Sequence, residues 1–224
     1  MRTHTKYFSF SKLANADGAS TVVRVAMVCN DLAIANSSIG HYKKMESKAL
    51  NHIRQGAALY FVRMSCGHLR EGIKAVQDVR DNPALCALVQ KCDPRAQMAF
   101  ADLCECLPSG RDHVDFGRYV QPIRNTVAFH YDARRVTSAL EDRANRPTSS
   151  PVCSMTTGED IHSTRFEFAD ALLDTIVCRK LWGIFDTDVR AEADRIADWC
   201  FQKSIQFLDF GEEFVRRYML NHAA

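Results

Sequence analysis

The chain has 224 residues, of which 46% are hydrophobic and 25% are charged, and this composition excludes a disordered protein. The formal net charge of +2 is too small for nucleic-acid binding through bulk charge, so any RNA contact requires a local patch. No run approaches about 18 uncharged apolar residues, and we expect no segment that spans a membrane. The 9 cysteines, an odd number without an export signal, predict reduced thiols in the cytoplasm.

Apolar residues recur at spacings of three and four along most of the chain, which predicts an all-α protein. The predicted helices cover residues 20–37, 46–79, 83–91, 94–107, 112–122, 133–144, 165–183 and 187–220. The second is apolar on more than one side, as expected of a helix deep in a bundle. Gly56, Gly67 and Gly72 within it indicate close helix packing rather than breaks. Asn82-Pro83 and Asp93-Pro94 each combine a capping residue with a first-turn proline and predict the two short helices.

Residues 145–164 form the clearest loop, because they combine two prolines and a glycine with clustered serine and threonine. Residues 152–156 leave room for a short strand pair, a small β-hairpin within the 147–164 loop. The helices on both sides of the loop have apolar faces that need partners. We therefore expect one helical domain over residues 1–224 rather than a domain boundary at this loop.

The segment 122–132, PIRNTVAFHYD, is an apolar helical stretch interrupted by residues suited to chemistry. Arg124 is a permanent cation whose five-donor fork suits phosphate, and Asn125 beside it adds an amide. His130 is the side chain best suited to transfer a proton near neutral pH. A phosphate-directed cation and a proton carrier are the minimum needed to cleave a phosphodiester without a metal. Pro122 predicts a kink or restart of the helix just before Arg124.

The spacing of Arg124 and His130 does not by itself bring the two side chains together. On a regular helix, positions six apart differ by about 120° around the axis and by about 9 Å along it. A bend at Pro122, the long arginine stem, or a two-fold axis between two copies would each unite them. The chain offers two other arginine–histidine combinations, one at Arg63 and His68 and another joining His222 to residues 216–217.

The motif from Arg124 and Asn125 to His130 resembles the R-x(4–6)-H signature of the HEPN superfamily, the higher eukaryotes and prokaryotes nucleotide-binding domains. The resemblance is sharp over about a dozen residues and only architectural elsewhere. It implies an antiparallel helical bundle, usually a homodimer, with the motif facing the dimer cleft. Many such proteins are metal-independent endoribonucleases of toxin–antitoxin or defence systems, while others are non-catalytic modules that bind a nucleotide or a partner protein.

Under this resemblance, His130 acts as acid or base while a ribose 2′-hydroxyl attacks the adjacent phosphate, giving a 2′,3′-cyclic phosphate. Arg124 stabilises charge on the transition state, and Asn125 orients the phosphate or the histidine. RNA is the implied substrate, and an antitoxin or nucleotidyltransferase-like protein is the implied partner. No cofactor and no metal are needed. The structural alternative assigns Arg124 to a carboxylate and His130 to a backbone carbonyl.

Two sets of residues could be imagined as metal sites. The cysteines at 86, 92, 104 and 106, with His68 or His113, do not show the paired Cys-x-x-Cys spacing of structural zinc sites, and we expect them to pack as small apolar groups. The aspartates at 170, 174, 186 and 188 are typical of solvated faces and helix caps rather than of a magnesium site.

The aromatic residues from Phe201 to Tyr218 predict a core or a dimer interface rather than a base-stacking platform.

Overall fold

A computed structural model describes residues 5–43, 51–128, 131–145, 154–155, 166–185 and 188–222. This part of the chain is all-α and contains no strand, which confirms the predicted fold class. The helices are α1 (Phe10–Ala14), α2 (Ala19–Lys43), α3 (Asn51–Asp81), α4 (Pro83–Val89), α5 (Pro94–Cys104), α6 (His113–Tyr119), α7 (Gln121–Ile123), α8 (Ala133–Ala144), α9 (Glu167–Asp174) and α10 (Val189–His222). Two π-helical segments follow α7 and α9 directly, Arg124–Ala128 and Thr175–Leu181.

Several helices begin where local capping chemistry predicts. The side chain of Asn82 accepts hydrogen bonds from the first-turn amides of α4, and Asp93 accepts one from α5, each ahead of a first-turn proline. Asp132 accepts hydrogen bonds from the amides of Arg134 at 2.9 Å and Arg135 at 3.2 Å, and so begins α8. Each cap satisfies amides that have no partner within the helix, which is why the starts could be located from short sequence signals.

The chain divides into two compact units. The first contains Met1–Ala33, His68–Val114 and Gln202–Ala224, and the second contains Ile34–Gly67 and Asp115–Phe201. Helices α2, α3 and α10 each contribute residues to both units. That the whole chain is one domain therefore stays a prediction.

The core of the first unit is built on the aromatic residues of α10. Phe207, Phe210, Phe214 and Tyr218 are all buried, which places these rings in the core as predicted. Gly72 of α3 lies so close to this cluster that an added Cβ would be 2.7 Å from the Phe207 ring. The predicted role of Gly72 in close helix packing is therefore confirmed.

The core of the second unit surrounds the break between α6 and α7. Helix α6 ends at Tyr119, and the chain restarts at Gln121 with Pro122 in the first turn, as the proline predicts. The Trp182 indole N–H donates to the Tyr119 carbonyl at 3.0 Å and ties this break to the residues after the second π-helical segment. Ile123 and Ile176 are fully buried in the same unit. This packing supports the segment that begins at Arg124.

Helix α2 is long and apolar enough over residues 19–40 to cross a membrane by length and composition, with a mean hydropathy of 1.3 in its best window. A core helix of a soluble protein passes the same test, and Val22, Val25, Val28 and Leu32 of α2 are buried within the first unit. The absence of a membrane span stays a prediction.

The strand pair predicted at 152–156 lies outside the described residues except at positions 154 and 155, so it also stays a prediction.

Candidate active site

The π-helical segment Arg124–Ala128 separates the predicted site into a buried side and a surface side. Thr126, Val127 and Ala128 are buried, whereas Asn125 is exposed and Arg124 is half-buried. The apolar residues therefore anchor the segment in the second unit while its first two residues reach the surface. Such i to i+5 segments are rare in proteins and occur frequently at functional sites.

Arg124 and Asn125 lie side by side on this segment. The Arg124 Nη1 donates to the Asn125 Oδ1 across 3.4 Å, a long hydrogen bond between neighbouring surface groups. A guanidinium and an amide are thus presented together, as the motif predicts. His130 lies outside the described residues, so its approach to Arg124 and its proton-transfer role stay predictions.

A buried arginine from α3 reaches the same segment. Arg63 is only 3% exposed, and its Nη1 donates to the Val127 carbonyl oxygen at 2.6 Å. The last carbonyls of a helix have no partner within it, and a cation there also interacts favourably with the helix dipole. Arg63 therefore caps the carboxyl end of the segment that carries Arg124.

Two tyrosine rings lie near the Arg63 guanidinium. Its central carbon lies 5.8 Å from the centre of the Tyr60 ring and 6.0 Å from that of Tyr131, both within cation–π range. The sequence singled out Arg63 only as a companion of His68. In the structure, the His68 Nδ1 instead lies 3.2 Å from the Asp31 Oδ2. The sequence signal that could have indicated a buried cation here is an arginine three residues after a tyrosine within an apolar helix.

The arginines near the C-terminus have another arrangement. Arg216 and Arg217 both donate to the carboxylate of Glu213, one turn earlier in α10. Burial raises the pKa of Glu213, but the hydrogen bonds from the two arginines outweigh this effect and lower it. His222 packs against the Tyr218 ring at 4.5 Å between ring centres. These arginines are thus engaged in ion pairing within their own helix.

A cleft in the second unit was not predicted from the sequence. It has a volume of about 420 Å³ and is lined by Arg118, Trp182, Gly183, Ile184, Asp188, Ala191, Glu192 and Arg195. The guanidinium carbons of Arg118 and Arg195 lie 5.6 and 5.8 Å from the centre of the Tyr119 ring. Hydrogen bonding by Arg195 lowers the pKa of Glu192, so this carboxylate remains charged beside its partner. Only the spacing of Glu192 and Arg195, three residues apart on one helix, hints at the cleft in the sequence.

Two of the cysteines weighed as zinc ligands, Cys104 and Cys106, have environments that favour the protonated thiol. Burial raises the pKa of Cys104 to about 11 and that of Cys106 to about 12, while the charge of Lys203 acts in the opposite direction on Cys106. Zinc binds the thiolate form, which these environments disfavour. Within the described ranges, no group of three or more histidine, cysteine, aspartate or glutamate residues is arranged to hold a metal ion.

The fold thus defines an all-α protein of packed helices, with a polar motif on a π-helical segment of its second unit. No protein-family model, curated protein sequence or solved structure matches the chain. The resemblance to the HEPN superfamily consequently depends on the motif residues themselves.

Proposed function

We propose that the protein is a metal-independent endoribonuclease whose site contains Arg124, Asn125 and His130. The observation that carries the proposal is the surface presentation of Arg124 beside Asn125 on a segment whose other side is buried. Fixed donors aimed at a developing negative charge are the largest single contribution in many enzymes that act on phosphates and acyl groups. A π-helical segment held by buried residues would keep the Arg124 donors in a fixed position.

In the proposed reaction, His130 removes the proton of a ribose 2′-hydroxyl, whose oxygen attacks the adjacent phosphorus. The bond from phosphorus to the 5′-oxygen breaks, the leaving 5′-oxygen takes a proton from water, and His130 returns its own proton to water. The products are a 2′,3′-cyclic phosphate and a 5′-hydroxyl end. Arg124 stabilises the charge on the phosphate oxygens in the transition state, and Asn125 orients the phosphate or the histidine.

In biological terms we propose a cytoplasmic homodimer of toxin or defence type, inhibited by an antitoxin or a nucleotidyltransferase-like partner.

The test is an RNA cleavage assay with the full chain in the presence of a chelator. Wild-type protein should cleave and leave 2′,3′-cyclic phosphate ends, whereas Arg124→Met and His130→Gln should each lower the rate by about 100-fold or more. Circular dichroism should report unchanged helix content in both variants. Equal cleavage by the protein carrying both substitutions would overturn the assignment.

The cleft around Arg118 and Arg195 favours a second function, a non-catalytic module that binds a nucleotide. Its volume of about 420 Å³ falls in the range of small-molecule sites, and the guanidiniums of Arg118 and Arg195 in its lining suit the phosphates of a nucleotide. Calorimetric titration with ATP and GTP tests this alternative. Binding that is lost in Arg118→Met, together with absence of RNA cleavage by wild-type protein, would favour the binding module over the ribonuclease.

A further inference from the structure

We propose that Arg63 is a positioning residue of the ribonuclease site, one that binds the Val127 carbonyl in the segment that carries Arg124 and contacts the Tyr131 ring. This inference rests on the proposed function for its catalytic consequence, but the contacts that motivate it are independent of any reaction. Arg63 comes from α3, 64 positions away in sequence from the carbonyl that it binds. It belongs to the same compact unit as the motif.

The first contact lies before His130. The Arg63 Nη1 donates to the Val127 carbonyl at 2.6 Å, three residues ahead of the histidine. A hydrogen bond with a charged donor is shorter and about twice as strong as a bond between neutral groups. The end of the π-helical segment is therefore fixed by a strong bond from a side chain that is itself immobilised by burial.

The second contact lies after His130. The Tyr131 ring, 68% exposed, has its centre 6.0 Å from the Arg63 guanidinium carbon, and the centre of the Tyr60 ring lies 5.8 Å from the same carbon. One guanidinium thus contacts residues that precede and follow the histidine within a span of five positions. A planar fork with delocalised charge can donate in its plane while an aromatic ring covers its face, which an ammonium cannot do equally well.

The burial of this cation argues against a purely space-filling role. Arg63 has no carboxylate partner among the described residues, and its Nε has no hydrogen-bond acceptor there. Burying a charge without a counter-ion is expensive, and an apolar side chain of similar volume would fill the same space at lower cost. The guanidinium chemistry is therefore the useful property at this position, and its target is the segment that carries the catalytic groups.

The experiment compares Arg63→Met, Arg63→Lys and Tyr131→Leu with Arg80→Met, an arginine of the same helix that pairs with its neighbour Asp81 at the surface. Hydrogen exchange followed by mass spectrometry measures the peptide that covers residues 124–132. We expect exchange there to accelerate about tenfold in Arg63→Met, less in Arg63→Lys and Tyr131→Leu, and not in Arg80→Met. Peptides from the first unit serve as the internal reference for global stability.

Kinetics on a short RNA test the catalytic consequence. We expect kcat to fall about 10- to 100-fold in Arg63→Met while KM changes less than about twofold, because misplacing a catalytic group affects the reaction step more than substrate binding. Arg63→Lys should restore part of kcat. Should Arg63→Met fail to fold, the surface variant Tyr131→Leu and the conservative Arg63→Lys decide the matter by the same two measurements.

The outcomes separate this inference from the proposed function. Unchanged exchange at 124–132 in all three variants would overturn the positioning role, even if wild-type protein cleaves RNA. Accelerated exchange in a protein that never cleaves RNA would support the structural hold on the segment while the ribonuclease proposal fails. Accelerated exchange with a rise in KM alone, and unchanged kcat, would assign Arg63 to substrate binding and contradict positioning.

Discussion

The two π-helical segments of the second unit have the same construction but present different chemistry. Arg124–Ala128 follows α7, and Thr175–Leu181 follows α9. Each receives an arginine from another helix. Arg63 donates to the Val127 carbonyl, while Arg143 donates to the Thr175 hydroxyl at 3.1 Å and to the Ala171 carbonyl at 3.0 Å. Arginine contacts therefore accompany both irregular segments, and their presence alone does not identify a site.

The difference lies in which residues come first. The second segment begins with the buried residues Thr175, Ile176, Val177 and Cys178. The first begins with half-buried Arg124 and exposed Asn125, and buries only the residues that follow. The function of a π-helical segment thus depends on which of its side chains reach the surface. The comparison predicts that catalysis is sensitive to the first segment and folding to the second.

The largest expected effect is on activity. Arg124→Met should lower the rate of RNA cleavage by about 100- to 1000-fold, because it removes the donor proposed to stabilise the transition-state charge. The matched control is Arg179→Met, which removes the arginine of the second segment, also half-buried. This control should retain the wild-type rate in an initial-rate assay with labelled RNA. Equal losses in the two variants would mean that the segments do not differ in function.

The next effect is on stability. Ile176→Ala should lower the free energy of unfolding by about 3 kcal/mol, because it leaves a cavity at a position that is only 1% exposed. Asn125→Ala, at an exposed position of the first segment, should change it by less than about 0.5 kcal/mol. Urea denaturation followed by circular dichroism measures both values. A large loss in Asn125→Ala would show that the first segment is needed for folding rather than free for function.

A smaller effect should follow from the arginine that serves the second segment. Arg143→Met removes two hydrogen bonds from a half-buried guanidinium and should lower the free energy of unfolding by about 1–2 kcal/mol. The control is Arg134→Met at an exposed position of the same helix, which should be nearly neutral. The same urea titration distinguishes them, and a neutral Arg143→Met would leave the second segment supported by apolar packing alone.

The fold was largely predictable because its signals are local. Asn82, Asp93 and Asp132 cap helices through amides only two or three residues away, so each start follows from a short stretch of sequence. The restart at Pro122 has a similarly local cause, since proline lacks an amide hydrogen and suits the first turn. The change from α to π geometry after Ile123 was not predictable, because it depends on how the buried residues pack against distant elements.

The candidate site was predictable only in part, for a related reason. Arg124 and Asn125 are neighbours in the sequence, and their hydrogen bond follows from this proximity. The contact of Arg63 with Val127 joins positions 64 apart, and no local pattern specifies which carbonyl a buried arginine will bind. Similarly, the cleft near Tyr119 gathers residues of α6 and α10 with the turn at Gly183. Tertiary packing, not periodicity, brings these groups together.

The smallest effect concerns pH and the thiol of the second segment. Burial raises the pKa of Cys178 from its ordinary 9.0 to about 12, and the neighbouring Asp174 charge acts in the same direction. A folded pKa above the unfolded one means that the stabilising contribution is complete below pH 9 and is lost as pH rises towards 12. One such thiol accounts for at most about 1.4 kcal/mol per pH unit, and we expect less than about 1 kcal/mol between pH 9 and 10.

Urea denaturation at pH 8, 9 and 10 measures this loss, with Cys178→Ala removing its part of the slope. The other buried thiols contribute to the remaining slope, since the pKa values of Cys29 and Cys106 are also raised to about 12. Alkylation of native protein should leave Cys178 unmodified under conditions that label an unfolded chain, because the thiolate is the reactive form. A Cys178→Ala slope identical to that of wild-type protein, with rapid labelling at this position, would contradict the packed environment assigned to the second segment. The two π-helical segments would then differ less in burial than the structure indicates.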